Sequence, residues 1–391
     1  MDIVIAAAAR TPIGAFQGAL APLPAARLGS ASIRAAVERA GLAPADVDLV
    51  LMGNVLQAGQ GQAPARQAAL AAGLPDATPC VTLNKMCGSG LEAIVQAARA
   101  VLVGDARIVV AGGMESMSNA PYLLPGARGG LRLGHAQALD SMIHDGLWDV
   151  YEDAHMGACA ELCAREHAFT REAQDAFAER SYRRAQAAIT DGHAAHEVVP
   201  VEVPGRKGAV TVVDEDEGPW AVDFARLPTL RPAFEQGGTV TAANASTIND
   251  GAAAVVVTSR EEADRRGLPV LATLRGWTVH AQAPAWFTTA PLGAMRSLFE
   301  RTGWSPHEVD RYEVNKAVAV VTMAAMDAFD LPEDRVDVLG GAVALGHPIG
   351  ASGTRIVVTL LNALRIAGGR KGVAAICLGG GEGMALALET P

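Results

Sequence analysis

A chain of 391 residues, half of them apolar and 19% charged, has material for two to three domain-sized units or one large fused body, and is neither disordered nor low-complexity. Aromatic residues make up only 4%, so the core must be packed from Ala, Val, Leu and Ile. The formal charge of −10 argues against a nucleic-acid or membrane-surface binder, either of which needs a basic footprint.

In chain order, Met1–Arg10 reads as a first strand, because its apolar stretch is short and has no basic start of the secretory kind. No apolar run approaches the ~20 residues of a bilayer span. The start is not an Arg/Ser-rich transit peptide, and the final Glu389-Thr390-Pro391 is no peroxisomal address, so a cytoplasmic setting is expected. A helical pattern ends at Gly41, a Pro-containing turn follows, and an apolar run reaches Asn54. Cys87-Gly88-Ser89-Gly90 opens an apolar helix of about four turns. The next strand ends in glycines at Gly112 and Gly113, and its Ile108-Val109-Val110-Ala111 is expected to be buried on both faces.

Residues from about Ser118 to Thr239 are more charged and irregular. They hold a Gly-rich loop (Pro125 to Gly134), an amphipathic helix over Arg171–Ile189 with Thr170 as N-cap and Gly192 as stop, and an acidic turn at Asp214–Glu217. A connection this long predicts a loop domain, laid over the first half. Beyond it the opening pattern returns. Thr302–Asp310 reads like Ala40–Asp48, and the run that follows reaches Asn315, 261 residues after Asn54. Gly350-Ala351-Ser352-Gly353 overlies Cys87-Gly88-Ser89-Gly90 at an offset of 263. Two near-constant offsets indicate tandem α/β halves, and strands alternating with helices predict mainly parallel sheets.

Three loops carry chemistry. Cys87 stands at a helix start, where free N–H groups and the helix dipole favour a thiolate, and the neighbouring glycines let a carbonyl approach the backbone. His347 is the titratable side chain of the glycine-dense turn Gly340–Gly353, at the place related by the repeat to Asn84, three residues from Cys87. Two halves packed about a pseudo-dyad bring these loops together as a Cys–His pair, the arrangement of an activated thiol nucleophile. Cys377 follows a strand and precedes Gly379-Gly380-Gly381, where a second thiol suits a general acid/base. That glycine run lacks the Lys-Ser/Thr of a phosphate loop. His155, Cys159 and Cys163 share one face of a helix, as zinc ligands can, but no fourth ligand stands nearby and the two cysteines read better as core contacts. The odd, sparse set of five cysteines reads as free thiols.

Together these motifs resemble those of the thiolase family along essentially the whole chain. They are Asn84-Lys85-Met86-Cys87-Gly88-Ser89-Gly90, Gly346-His347-Pro348-Ile349-Gly350-Ala351-Ser352-Gly353 and Cys377-Leu378-Gly379-Gly380-Gly381, supported by Arg10–Gly14, Gly112–Ser118, Asn244-Ala245-Ser246 and Asn249–Ala253. The resemblance implies the five-layered αβαβα fold of two similar α/β halves plus a loop domain. The expected N-terminal half is 1–118 with 240–270, the loop domain 119–239, and the C-terminal half 271–391. It implies an acyl-CoA C-acyltransferase, such as an acetyl-CoA acetyltransferase or 3-ketoacyl-CoA thiolase. In such an enzyme Cys87 takes the acyl group, His347 activates it and Cys377 moves the α-proton of the second acetyl-CoA. Asn315 holds an oxyanion-hole water with His347, and the N–H groups of Cys87 and Gly379 form a second hole. Leu147, His155, Met156, Ser246, Phe287 and Val318 fall where the family contacts the acyl-pantetheine arm. No metal or organic cofactor is implied, since acetyl-CoA, acyl-CoA and CoA are substrates. Nucleic-acid or membrane partners are not expected. Pro125–Asp140 resembles a tetramerisation loop, which implies a homotetramer, and fatty acid metabolism is the implied setting.

The fourth motif departs from the family's Asn-Glu-Ala-Phe-Ala, reading Asn315-Lys316-Ala317-Val318-Ala319. A cation at Lys316, beside His347 and the thiols, is expected to favour thiolates and disfavour a protonated His347. Val318 removes pocket-filling volume and is expected to admit a longer or branched acyl chain. The alternative reading is a thiolase-like acyl-CoA-binding protein whose chemistry is impaired by Lys316 and Val318. The CoA-gripping Arg of some thiolases has no counterpart near Gly218-Pro219-Trp220.

Overall fold

Side chains alternate so regularly along the strands that they sort the molecule into layers. The structure, a computed structural model, describes residues 1–391. Its main strands are β1 (Ile3–Arg10), β2 (Leu49–Gly53), β3 (Cys80–Leu83), β4 (Ile108–Ser116), β5 (Asn249–Ser259), β6 (Ala272–Ala281), β7 (Arg311–Val314), β8 (Lys371–Leu378) and β9 (Glu382–Glu389). The α-helices are α1 (Ala25–Arg39), α2 (Pro64–Ala71), α3 (Ser89–Val103), α4 (Met156–Glu166), α5 (Arg171–Thr190), α6 (Arg260–Arg266), α7 (Ala290–Thr302), α8 (Ala319–Phe329), α9 (Ala342–Leu345) and α10 (Ile349–Ala367). The strands form one sheet in the order β7-β8-β9-β6-β1-β5-β4-β2-β3, with Gly14–Ala15 added on β5.

Successive strand residues face opposite sides of a sheet. Leu51, Val109, Ala111, Val255 and Val257 therefore face an inner layer made of α3 and α10, while Val50, Met52, Val110, Ala254 and Val256 face α1 and α2. In the C-terminal half Ala374, Ile376, Leu386 and Leu388 face the same inner helices, and Val373, Ala375, Ala385 and Ala387 face α7 and α8. The result is helix, sheet, helix, sheet, helix, the five-layered αβαβα arrangement expected. The two sheet halves meet only where β1 pairs β6, at Val4–Thr273 and Ile5–Ala272.

The expectation of mainly parallel sheets is wrong. Only β2–β3, β2–β4 and β7–β8 are parallel, and the other ladders are antiparallel. The glycine run after Cys377 is the reason for one of them: Gly379–Gly381 turns β8 straight into β9, and a strand returning through a tight turn can only pair antiparallel. The loop region also differs from expectation. Its α5 starts at Arg171 behind a Thr170 cap, as read, but packs on Val343, Ala344 and Leu345 of the C-terminal half, and Cys159 and Cys163 of α4 join the core of α7 and α8. The region lies across both halves rather than over the first alone. The acidic turn is its anchor, with Asp216 paired to buried Arg10 at 2.7 Å.

The duplication extends to single hydrogen bonds. Asp48 accepts from the N–H groups of Arg107 and Ile108 at 2.8 and 3.0 Å, and Asp310 from those of Arg370 and Lys371 at 2.7 and 2.9 Å. The pseudo-dyad passes where α3 crosses α10. A Cβ on Gly90 would lie 2.7 Å from the Thr354 nitrogen, and one on Gly353 would lie 2.9 Å from Leu91 Cβ and strike the Leu91 nitrogen. Overpacking such a contact costs about 1–3 kcal/mol. Gly353→Ala should therefore lower the thermal midpoint by several degrees, and an unchanged melting curve would show that the helices can part freely. One more expectation is corrected here: Met86–Val103 is apolar enough over 18 residues to cross a membrane by length and composition. It is nevertheless the central core helix, packed between the sheets and against α10.

Candidate active site

Both inner helices begin at the pseudo-dyad, so the loops before them converge. Cys87 ends a turn in which Met86 has φ of +47° and its N–H is held by Asn84 Oδ1 at 2.9 Å. Ser89 Oγ accepts from Lys85 N–H at 2.8 Å and donates to the Met86 carbonyl at 2.6 Å, which closes the turn. Lys85 pairs with Glu382, tying the Cys87 loop to the first residue after the Cys377 turn. In the other half Ser352 takes the place of Ser89, and Asn249 Oδ1 holds the His347 N–H at 2.9 Å.

Cys87, His347, Cys377 and Gly379 all line one cavity of about 780 Å³. Every residue expected along the acyl-pantetheine arm lines it too: Leu147, His155, Met156, Ser246, Phe287 and Val318. His155 caps α4 by accepting from Gly157 N–H and stacks on Phe234, with ring centroids 4.7 Å apart. It is thereby turned away from Cys159 and Cys163, which are buried in apolar core. No group of three His, Cys, Asp or Glu side chains is placed to hold a metal ion. All five cysteines are free.

The imidazole's protonation follows from its partners. Ser352 Oγ lies 2.6 Å from His347 Nδ1 and 3.0 Å from the Pro348 carbonyl; with the hydroxyl donating to that carbonyl it accepts from Nδ1, which then carries the hydrogen. That leaves Nε2, buried and without a partner, as the basic nitrogen. Burial, reinforced by the Arg355 guanidinium, pushes the His347 pKa down to about 3, so the ring is a neutral base at physiological pH. Asn315 is buried beside it and does not form the cavity wall. Its Oδ1 accepts from Arg355 Nη2 at 2.9 Å, which turns Nδ2 toward the imidazole, 3.5 Å from Nδ1.

The thiols correct an expectation. Burial raises Cys87 to about 11, and this outweighs the thiolate-favouring N–H groups of Gly379 and of Cys87 itself. The helix start alone does not make a resting thiolate. Burial likewise lifts Cys377 well above the usual thiol range, and the neighbouring Cys87 adds to the effect. The resting site is thus uncharged: two thiols and a neutral imidazole.

Lys316 overturns a second expectation. Its ammonium points away from the cavity, donating to Ser181 Oγ at 2.7 Å and the Gly340 carbonyl at 2.8 Å, with Asp337 Oδ2 at 3.5 Å and the Phe177 ring beneath at 4.8 Å. The cation is balanced by Asp337 and lies outside the groups that shift His347, Cys87 or Cys377. Ala317 and Val318, the next residues, are the ones that face the cavity.

Sequence reasoning missed Glu115, which is fully buried at the end of β4. It accepts from Asn54 Nδ2 at 2.7 Å, Val55 N–H at 3.0 Å and Gly350 N–H at 2.9 Å, joining the first half to the start of α10. Burial pushes it up to about 7, and its charge raises Cys87 further. Met117 and Ile349 also line the cavity, and both lie inside motifs already singled out.

Comparison with known proteins agrees with this architecture. The thiolase N-terminal domain profile matches residues 3–261 and the thiolase C-terminal domain profile residues 268–390. The chain belongs to the thiolase family. It is 50% identical over 388 residues to an acetyl-CoA acetyltransferase of Pseudomonas aeruginosa, covering 99% of each chain. It is 51% identical over 390 residues to acetyl-CoA acetyltransferase 2 of Arabidopsis thaliana, covering 99% of this chain and 97% of that one. It also superposes on the crystal structure of a thiolase from Ascaris suum in complex with coenzyme A, with a TM-score of 0.95, 43% identity and full coverage of both chains.

Proposed function

We propose that this protein is an acyl-CoA C-acyltransferase that joins two acetyl-CoA molecules, or cleaves a 3-ketoacyl-CoA with CoA, through an acyl thioester on Cys87. The observation that carries the reading is the convergence of Cys87, His347, Cys377 and Gly379 on one cavity. In the first step the Cys87 sulfur attacks the thioester carbonyl while its proton passes to His347 Nε2, and the imidazolium returns that proton to the departing CoA sulfur. The N–H groups of Cys87 and Gly379, already turned to the Cys87 sulfur, receive the charge developing on the acyl oxygen. In the second step His347 Nε2 takes the Cys377 proton, the Cys377 thiolate takes the α-proton of acetyl-CoA, and the carbanion attacks the acyl-enzyme and expels the Cys87 thiolate, which the His347 imidazolium then protonates. Once acylated, Cys87 cannot ionise, so no Cys87 thiolate opposes ionisation of Cys377 in the second step. No resident cofactor enters this scheme.

The homotetramer, the cytoplasmic setting and a role in fatty acid metabolism belong to the same proposal. The Pro125–Asp140 segment supports the assembly by exposing Leu131 and Leu133 to solvent. The alternative of a non-catalytic acyl-CoA binder loses its main support because Lys316 faces away from the reacting groups. Mixing the protein with excess acetyl-CoA and quenching in acid should leave one acetyl group on the peptide bearing Cys87, with release of CoA. Failure to find that adduct overturns the reading. A thiolysis panel from acetoacetyl-CoA to longer 3-ketoacyl-CoA then reads the space left by Val318.

A further inference from the structure

The two N–H groups that face the Cys87 sulfur come from opposite halves of the chain. That of Cys87 belongs to the turn before α3, and that of Gly379 to the turn between β8 and β9. Their spacing therefore depends on how two separate turns dock. Apolar contact brings the turns together: a Cβ on Gly88 would strike Leu378, and one on Gly379 would lie 3.4 Å from Met86 Cε. Such contact sets a distance but no direction, because it survives a small slide. Directional contact comes from Lys85 and Glu382, the one ion pair between the two turns. Their side chains are 25% and 36% exposed, so water screens the pair only in part. Both ends are firmly mounted. Lys85 N–H donates to Ser89 Oγ at 2.8 Å and its carbonyl accepts from Gly88 N–H at 3.1 Å, so its backbone is part of the Cys87 turn. Glu382 pairs with Leu378 across the hairpin and with Ala281 of β6 on its other side. Between Leu378 and Glu382 stand only Gly379, Gly380 and Gly381, the last two at φ of +89° and +81°. A move of Glu382 is thus passed directly to the Gly379 N–H.

We propose that Lys85 and Glu382 are positioning residues for acyl transfer: their ion pair holds the Gly379 N–H over the Cys87 sulfur and keeps the two-donor oxyanion hole closed across the seam between the halves. The proposal rests on reading Cys87 as the acylated nucleophile. An oxyanion donor works only while it stays about 3 Å from the place where charge develops. A misplacement of about 1 Å costs about a hundredfold in rate. The pair acts through position and not through its charges. Neither Lys85 nor Glu382 is among the groups that shift Cys87, His347 or Cys377. The oxyanion forms only during reaction, so the rate and not the substrate affinity carries the effect.

The test times Cys87 acetylation by acetyl-CoA in a single turnover, in the native protein, Lys85→Met, Glu382→Gln, Lys85→Arg and the exchanged pair Lys85→Glu with Glu382→Lys. Lys85→Met and Glu382→Gln should each lower the limiting rate about tenfold and shift the acetyl-CoA concentration for half that rate less than about twofold. The exchanged pair and Lys85→Arg, which keep an ion pair, should avoid most of the loss. Native acetylation should slow with salt, while that of Lys85→Met and Glu382→Gln should not. A second readout needs no acyl transfer: alkylation of Cys87 by iodoacetamide on the His347→Ala background, where only free thiolate reacts. Lys85→Met removes a cation and Glu382→Gln an anion, so a charge effect would move the two in opposite directions. Withdrawal of the Gly379 N–H should slow both, about threefold, because that N–H favours the thiolate. Unchanged rates in both variants, a loss that neither the exchanged pair nor Lys85→Arg avoids, or alkylation that moves in opposite directions overturns the proposal. Absence of an adduct in the native protein removes the acyltransfer reading, and alkylation then still decides whether the pair holds Gly379.

Discussion

Lys316→Glu is expected to destabilise the protein by about 3–5 kcal/mol, the usual penalty for breaking a buried ion pair from one side, and not to raise turnover. The substitution would place a second carboxylate against buried Asp337, with Glu313 close by and already pushed up to about 8 by burial and Asp337. It would also strip Ser181 Oγ and the Gly340 carbonyl of their donor and remove the cation from over Phe177. Urea unfolding followed by circular dichroism measures the loss. Exchanging the charges with Lys316→Glu and Asp337→Lys should recover part of it, because the pair is re-formed with the opposite sense. An unchanged midpoint in the single variant would mean that water already reaches the ammonium. A sharp gain in turnover would mean that Lys316 acts on the site after all.

Removing the imidazole should have the largest effect on chemistry. His347→Ala is expected to lower turnover about a thousandfold, the middle of the range for losing a positioned general base. The pH dependence carries the sharper signature. With His347 near 3 and Cys87 near 11, the neutral pair persists across the whole accessible range, and about one Cys87 in ten thousand is a thiolate at pH 7. Alkylation of Cys87 by iodoacetamide should therefore be nearly independent of pH between about 6 and 9 in the native protein, where His347 takes the proton. In His347→Ala it should be slower and rise about tenfold per pH unit, since only free thiolate reacts. A native inflection near the ordinary histidine value would show a hydrated imidazole and contradict the buried geometry. Stability follows the same group. A depressed histidine binds its proton more readily unfolded, so its contribution is present above about 6.5 and is lost as pH falls toward 3.

Much of the fold was legible because the chain states it twice. Offsets of 261 and 263 located equivalent loops, and the paired carboxylates Asp48 and Asp310 show the copies conserving even the same N–H contacts. The catalytic cavity was legible for a related reason: glycine is required where α3 and α10 touch, so the sequence marks that crossing with Gly90 and Gly353. Strand direction was not legible, because Gly379–Gly381 reads as a loop until it is seen to fold β8 back on β9. The thiolate expected at Cys87 failed because helix-start effects act locally, whereas burial depends on everything folded around the sulfur. Lys316 failed for a similar reason. Ser181 and Asp337 lie 135 and 21 positions away, and nothing in the local string says which way a lysine will point. Glu115 had no signal beyond its place in Gly112–Ser118.

The crossing of the inner helices also explains why a thiol can face an imidazole at all. If each copy had kept the same residues, a perfect dyad would have set like against like, sulfur opposite sulfur or ring opposite ring, and no proton would have a reason to move. Fusion of the copies into one polypeptide frees the mirrored positions to differ, as Cys87 differs from Gly350 and His347 from Asn84. The polarity of the reaction centre is thus a broken symmetry, and it lasts only while both copies stay docked. Prying them apart would silence the chemistry even if each remained folded.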